Sequence, residues 1–263
     1  MKAKKHLGQH FLTSKAALRD IIKAANVQPE DTVLEIGPGK GVLTRALLET
    51  GARVVAVETD ADMIDVLEES FAEEIALGKL TLIESDMLEI PLTTDTFTEW
   101  GFTAYKVVAN IPYYITGELL RRFLTAEVQP QSMTVLVQKE VAERIAKSKK
   151  ETVLSLSVKA YGHPRYVASV PARYFSPSPK VDSAVLHISN ISRTRLEHVG
   201  EERFFKVVKA GFTSKRKKLI NNLSSFGSKD ELHKTLSGLG LSENVRPEDV
   251  RLEEWQKLSS ELR

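Results

Sequence analysis

The sequence predicts an α/β protein: an open, mainly parallel sheet followed by a small all-helical domain. Three observations predict it. Short β-rich runs alternate with helical stretches over the first two-thirds of the 263 residues, the pattern of β-α-β units whose strands pair in parallel. The apolar runs are nearly continuous, as strands covered on both faces require. After about residue 190 the strands stop, and capped, glycine-broken helical segments take over.

Taken in order, DTVLEIG (31–37), ARVVAVE (52–58), KLTLIESD (79–86), YKVVANI (105–111) and SMTVLVQ (132–138) are expected strands. GVLTRALLETG, closed by Gly51, and ADMIDVLEESFAEEIALG, closed by Gly78, are expected helices. Residues 166–170 and 183–189 are expected to form a hairpin-like pair at the sheet edge. A boundary near 191–196 then gives two domains, 1–190 and 191–263.

Composition narrows the function classes. Hydrophobic residues make up 42%, enough for a buried core. The chain has no cysteine, which removes disulfides, zinc-thiolate sites and cysteine nucleophiles and fits a reducing, cytoplasmic setting. The start, MKAKKHLGQHFLTSK, is basic but lacks the apolar stretch of a secretory signal. No apolar run reaches the length of a membrane span. A monomer with neither metal nor membrane contact is expected. Net charge is only +2 but is segregated. Residues 58–99 carry thirteen acids and one base, Lys79, whereas 203–229 carry eight bases and no acid. Such a chain can offer a basic face to a polyanion while staying near neutral overall.

The sharpest local feature is Glu35-Ile-Gly37-Pro-Gly39-Lys-Gly41, after the first strand of the parallel set and before a helix. Glycines let the chain turn tightly and approach a ligand closely. Dinucleotide sites use G-x-G-x-x-G, whereas here glycine recurs at every second position. No G-K-[ST] follows, which excludes a triphosphate P-loop. The pattern resembles the glycine loop of Rossmann-like methyltransferases, although alone it would also serve any tight strand-to-helix turn. Glu58 ends the next strand, where such folds set a carboxylate against ribose hydroxyls. Asp86, followed by Met87, ends the third, where a carboxylate can accept from an adenine amino group.

Asn110-Ile111-Pro112-Tyr113-Tyr114 follows the fourth strand. The N6 lone pair of adenine is delocalised into the ring and is a poor nucleophile. An Asn oxygen and a nearby backbone carbonyl can accept both amino hydrogens and favour a pyramidal nitrogen. Pro112 stiffens the turn, and an aromatic ring can stack on the base. Orientation then does more than a strong base, so no general base is assigned. The target base must be unpaired or flipped out. Phe175, in the stiff loop FSPSPKVDS (175–183), is a second stacking candidate; its alternative place is the core.

These motifs together resemble the KsgA family, the small-subunit ribosomal RNA adenine N6,N6-dimethyltransferases, over essentially the whole chain. The matching stretches are LGQHFL (7–12), EIGPGKGVLT (35–44), Glu58, SDML (85–88), NIPYYI (110–115), FSPSPKVDS (175–183), GFTSKRKKLINNL (211–223) and VRPEDVRLEEWQKL (245–258). The resemblance implies a class I methyltransferase sheet and S-adenosyl-L-methionine as cofactor. It puts cofactor contacts at His10, Leu12, Gly37, Glu58, Asp86 and Asn110, beside Glu35, Gly39, Gly41 and Met87 of the same motifs. It implies that Tyr113 and Phe175 sandwich the target. It also implies the product, dimethylated adenosines at two adjacent positions in a hairpin loop near the 3′ end of 16S rRNA, made during small-subunit assembly. One departure is visible: the family's usual G-Q-N-F-L has His10 in place of Asn. A protonated imidazole beside a sulfonium is unfavourable, so cofactor affinity is expected to fall as pH drops through the histidine range.

The nearest rival is the Erm type, which methylates an adenine of large-subunit rRNA; the KRKKLINNL stretch and long helical tail favour the KsgA type. Methyltransferases with N-P-P-Y loops differ at Ile111. A third reading is an assembly factor that acts mainly by binding the small subunit. In each RNA-binding reading Lys4, Lys5, Arg144, Lys147, Lys149, Lys150, Lys215, Arg216, Lys217 and Lys218 are expected to meet phosphates, giving affinity without sequence information.

Overall fold

Seven strands in one sheet dominate the first of two compact units of this chain, whose computed structural model describes residues 9–102 and 104–262. That unit comprises Met1–Ala142 and Pro164–Ile191. Its elements begin with β1 (Phe11–Leu12), α1 (Lys15–Ala25), β2 (Thr32–Ile36), α2 (Val42–Leu48), β3 (Arg53–Glu58), α3 (Ala61–Ser70), α4 (Ala72–Ala76) and β4 (Leu80–Glu84). They continue with α5 (Thr94–Glu99), β5 (Lys106–Asn110), α6 (Thr116–Thr125), β6 (Ser132–Gln138), β7 (His163–Val170), β8 (Phe175–Ser176) and β9 (Ser183–Ser189).

The sheet order is β4-β3-β2-β5-β6-β9-β7. Neighbours from β4 to β6 are parallel, and β9 runs antiparallel to β6. The five continuous apolar runs thus form the parallel part. Adjacent residues such as Val33 and Leu34, or Val107 and Val108, are fully buried, which places cover on both faces. On one face Ile21 of α1 and Leu47 of α2 join Val33, Val54, Val108 and Leu136 in the core. The chain leaves β2 in one direction to β3 and β4, then returns to its other side at β5. The order reverses between β2 and β5, and an open α/β sheet has its crevice at the carboxyl ends of the strands there. Register puts Ile36 opposite both Val57 and Ala109, so the ends of β2, β3 and β5 are level.

Local chemistry fixes the helix ends. Ser14 caps α1 by accepting from Ala17 N at 3.3 Å, and Asp60 caps α3 by accepting from Asp62 N at 3.2 Å. The single helix expected over 61–78 is broken at Phe71, whose φ is −128°. Its buried ring turns inward beneath the loop before α2, and the Arg45 guanidinium lies 4.1 Å from the ring centroid. The edge pair of β7 and β9 is present. Between them β8 leaves the sheet and pairs antiparallel with β1, Phe11 opposite Ser176 and Leu12 opposite Phe175. The sequence had not indicated this small ribbon.

The second unit comprises Glu143–His163 and Ser192–Arg263. Helix α7 (Lys139–Ala146) spans its first boundary; α8 (Val153–Tyr161), α9 (Glu201–Gly211), α10 (Leu219–Asn222), α11 (Lys229–Gly238) and α12 (Leu252–Glu261) lie within it. The expected single cut at 190/191 is therefore corrected: residues 143–163 pack with the C-terminal helices. Glu151 N donates to Glu248 O at 2.7 Å, Arg195 Nη1 donates to Lys159 O at 2.8 Å, and the Tyr161 and Phe205 rings stack at 5.9 Å. Buried Trp255, Phe204, Val207 and Leu258 form the centre of this unit. Among the described residues no helix is long and apolar enough to cross a membrane.

Candidate active site

The glycine loop leaves β2 at the point where strand order reverses. Gly37, Gly39 and Gly41 have φ of +67°, +55° and +74°, a region costly for residues with a Cβ. Close packing adds to this at two of them. A Cβ on Gly39 would stand 2.9 Å from Phe11 Cε1, and one on Gly41 would stand 2.4 Å from Phe71 Cε2. Beside Gly37 the space is open, and that space belongs to a cavity at the strand ends.

Acidic side chains line this cavity. The Glu58 carboxylate accepts from Gly39 N at 3.0 Å, Thr59 N at 2.9 Å and Asp60 N at 3.0 Å. It therefore ties the glycine loop to the end of β3. Burial raises its pKa, and the three N–H donors oppose that rise. Glu35, on β2 beneath the loop, is 1% exposed, and neither carboxyl oxygen has a hydrogen-bond partner among the described residues. Burial pushes it up to about 8; the neighbouring Thr44 side chain opposes that rise, and the charge on Glu58 adds to it. Asp86 accepts from Leu88 N at 2.8 Å through Oδ1, an Asx turn, and Met87 is buried beside it on the cavity wall.

The reaction loop forms the opposite wall. Asn110 Nδ2 donates to His10 O at 2.9 Å. A carbonyl can only accept, so this bond sets the amide nitrogen against His10, and the oxygen is left with the acceptor role on a residue that lines the cavity. Ile111 is buried. The carbonyl of Pro112 accepts Ile115 N at 3.2 Å and the Thr116 hydroxyl at 3.5 Å, so it is not the free backbone acceptor a stiff proline turn suggests. The Tyr113 hydroxyl meets Ser183 Oγ at 2.6 Å, and burial raises its pKa. The His10 ring lies parallel to Tyr113, with centroids 6.0 Å apart and planes at 23°. His10 Nδ1 lies 2.7 Å from Pro177 O and must donate to it, which leaves Nε2 as the acceptor of the neutral ring.

One cavity thus brings together His10, Glu35, Gly37, Gly39, Glu58, Asp86, Met87, Asn110, Ile111, Pro112 and Tyr113. Three expected residues are not on it. Gly41 stands behind the loop as the N-terminal cap of α2. Leu12 is buried in the core, and its backbone pairs with β8. Phe175, expected to stack on the base, is 5% exposed and packs in the core with Leu12, Val170 and Val185; the ribbon turns its ring inward. Sequence reading missed Gln9, Phe11 and Tyr114, which line the cavity. Gln9 Nε2 donates to Asp60 Oδ2 at 2.8 Å. The neighbouring His10 was the available signal for the first two, and the doubled Tyr for the third.

The expected phosphate contacts divide. Lys4 and Lys5 lie outside the described residues. Arg144, Lys147, Lys149 and Lys150 are exposed, and Lys150 is also ion-paired with Glu248, which raises its pKa. Lys215, Arg216, Lys217 and Lys218 are all exposed in the turn between α9 and α10. Among the described residues no group of three or more His, Asp or Glu is placed to hold a metal ion.

Comparison with known proteins gives a consistent result. The profile of the family described as "Ribosomal RNA adenine dimethylase" matches residues 1–263. "Ribosomal RNA small subunit methyltransferase A" of Dehalococcoides mccartyi is 45% identical over 99% of this chain and 89% of its own length. The protein of that name from Fusobacterium nucleatum is 39% identical over 98% of this chain and 96% of its own. The crystal structure of the 23S rRNA methyltransferase ErmE superposes with a TM-score of 0.78 at 25% identity, covering 96% of this chain and 99% of that one. A dimethyladenosine transferase from Plasmodium falciparum shares the fold at 0.78 and 23% identity, covering 95% and 96%. With its glycine loop, paired strand-end acids and Asn-Ile-Pro-Tyr turn on one crevice, and with that family matched from end to end, this chain belongs to the ribosomal RNA adenine dimethylase family.

Proposed function

We propose that this protein transfers methyl groups from S-adenosyl-L-methionine to the N6 amino groups of two adjacent adenosines near the 3′ end of 16S rRNA, in the assembling small subunit. The observation that carries the reading is Asn110, its amide nitrogen held by His10 O and its side chain on the same crevice as the glycine loop, Glu58 and Asp86. The lining suits the cofactor. Space is open beside Gly37, the Glu35 carboxyl is buried without a partner among the described residues, and Glu58 and Asp86 have acceptor capacity beyond their backbone bonds. Glu58 is suited to ribose hydroxyls and Asp86 to an adenine amino group, and an anionic carboxylate at either place favours a cation. When bound, the cofactor supplies a methyl group activated on a sulfonium.

The chain's own residues then orient the acceptor. Asn110 Oδ1 accepts an N6 hydrogen and favours the pyramidal, nucleophilic nitrogen. The Tyr113 ring, pinned by Ser183 and flanked by His10, sets the plane of the base. The proton leaves to water after transfer, so no side chain is needed as a base. The exposed cations at 215–218 hold phosphates of the folded RNA, whose shape supplies specificity. The ErmE likeness raises a large-subunit target as a second reading; the 45% and 39% identities to small-subunit enzymes favour the first.

Immature small subunits and naked large-subunit rRNA, each incubated with labelled cofactor, separate the two. Mass spectrometry of the digested RNA is expected to find dimethyladenosine only in the small-subunit RNA. Label confined to the large-subunit RNA, or absent from both, would overturn the proposal.

A further inference from the structure

Among the described residues the exposed large hydrophobic side chains are Val42, Leu77, Tyr114 and Val181. Tyr114 is the most open, at 69%, and with Val42 it stands on the cavity that holds Asn110 and Tyr113. An isolated exposed tyrosine needs no explanation. This one directly follows the half-buried Tyr113 in the reaction loop. Its backbone is fixed on both sides: Tyr113 is tied to Ser183, and Ile115 N and the buried Thr116 hydroxyl both bond Pro112 O. The loop therefore presents two consecutive aromatic rings in a rigid turn, one facing inward and one facing solvent.

We propose that Tyr114 is an outer base platform, whose ring stacks on the unpaired nucleotide adjacent to the target adenosine while Tyr113 holds the target itself. The inference rests on the RNA-adenosine reading above. Moving one base out of a single-stranded stack strips its neighbour of a stacking partner. An aromatic ring at the mouth of the pocket replaces that partner, and stacking does not depend on base edges. The platform suits a substrate with consecutive unpaired nucleotides, because stacking takes whichever base lies on its side of the target. Because the neighbouring residues are tied down, the place from which the ring projects is set before RNA arrives.

The test compares Tyr114→Ala, Tyr114→Phe and Tyr114→Trp in the full chain, methylating immature small subunits, with cofactor affinity measured alongside by calorimetry. For Tyr114→Ala we expect kcat/KM to fall by about 10- to 100-fold, the range for removing one base-aromatic stack. The loss should lie mainly in KM, with cofactor Kd unchanged. Phe and Trp should stay within about threefold of wild type, because the ring rather than the hydroxyl is used. The proposal is overturned if Tyr114→Ala keeps wild-type kcat/KM, if Phe and Trp lose as much as Ala, or if cofactor affinity falls with the rate. A wild-type chain that methylates no adenosine would defeat the functional reading, and this inference with it; that failure shows in the unsubstituted protein.

Discussion

Asn110 shows how one hydrogen bond decides a role. Its amide could turn either end to His10, and the His10 carbonyl takes the nitrogen, which leaves the oxygen as the acceptor. Asn110→Ala removes that acceptor without opening the core. The methylation rate is expected to fall by about 10²–10³-fold, the usual cost of losing one oriented polar group at a reacting centre. Single-turnover assays on small subunits check this, and a wild-type rate would refute it. Glu35 gives a prediction with a definite sign. In the folded chain it keeps its proton up to about 8, because burial disfavours the anion. In the unfolded chain it ionises in the ordinary carboxylate range. Between those limits the unfolded form has released a proton that the folded form retains, so stability falls as pH rises. Glu35→Gln removes the titration. Its Tm relative to wild type, measured without cofactor, should climb between about pH 5 and pH 8. A constant difference across that range would contradict the assignment.

At the scale of elements, the ribbon of β1 with β8 and the break between α3 and α4 matter most. The ribbon carries His10 to Asn110 and Tyr113, and it buries Phe175. The break lets Phe71 close beneath Gly41. In the helical unit a comparable fit joins α9 to α12. A Cβ on Gly211, the last residue of α9, would stand 2.3 Å from Trp255 Cη2, and Trp255 is fully buried. Helix propensity favours Ala over Gly by at most about 1 kcal/mol, the value for a helix interior. We nonetheless expect Gly211→Ala to destabilise the protein by about 1–3 kcal/mol, as overpacked cores do. Chemical denaturation is the measurement, and a gain in stability would show that the indole has room to shift.

For the whole molecule, charge segregation is the property with a measurable consequence. Reversing Lys215, Arg216 and Lys217 to Glu should weaken binding to small subunits and flatten its dependence on salt. The slope of log K against log salt should drop by roughly 0.7–0.9 for each phosphate that is no longer neutralised. Unchanged affinity in a salt titration would remove these residues from the interface. The molecule also shows how far its sequence could be read. The parallel strands were legible because apolar runs buried on both faces leave a continuous signature, and the strand-end acids and reaction loop were legible because they sit at fixed offsets from those strands. The split of 61–78 at Phe71, the recruitment of 143–163 into the helical unit and the β1–β8 ribbon were not, since each depends on partners distant in the chain. The sequence by itself determined the α/β order, the glycine loop, Glu58, Asp86 and the Asn110–Tyr113 turn. Only the tertiary structure decided that Phe175 is core, that Tyr114 is open, and that the His10 carbonyl holds the Asn110 amide nitrogen. Local pattern records what a residue's own strand or helix requires, whereas orientation at a site is set by partners that meet only once the sheet has closed.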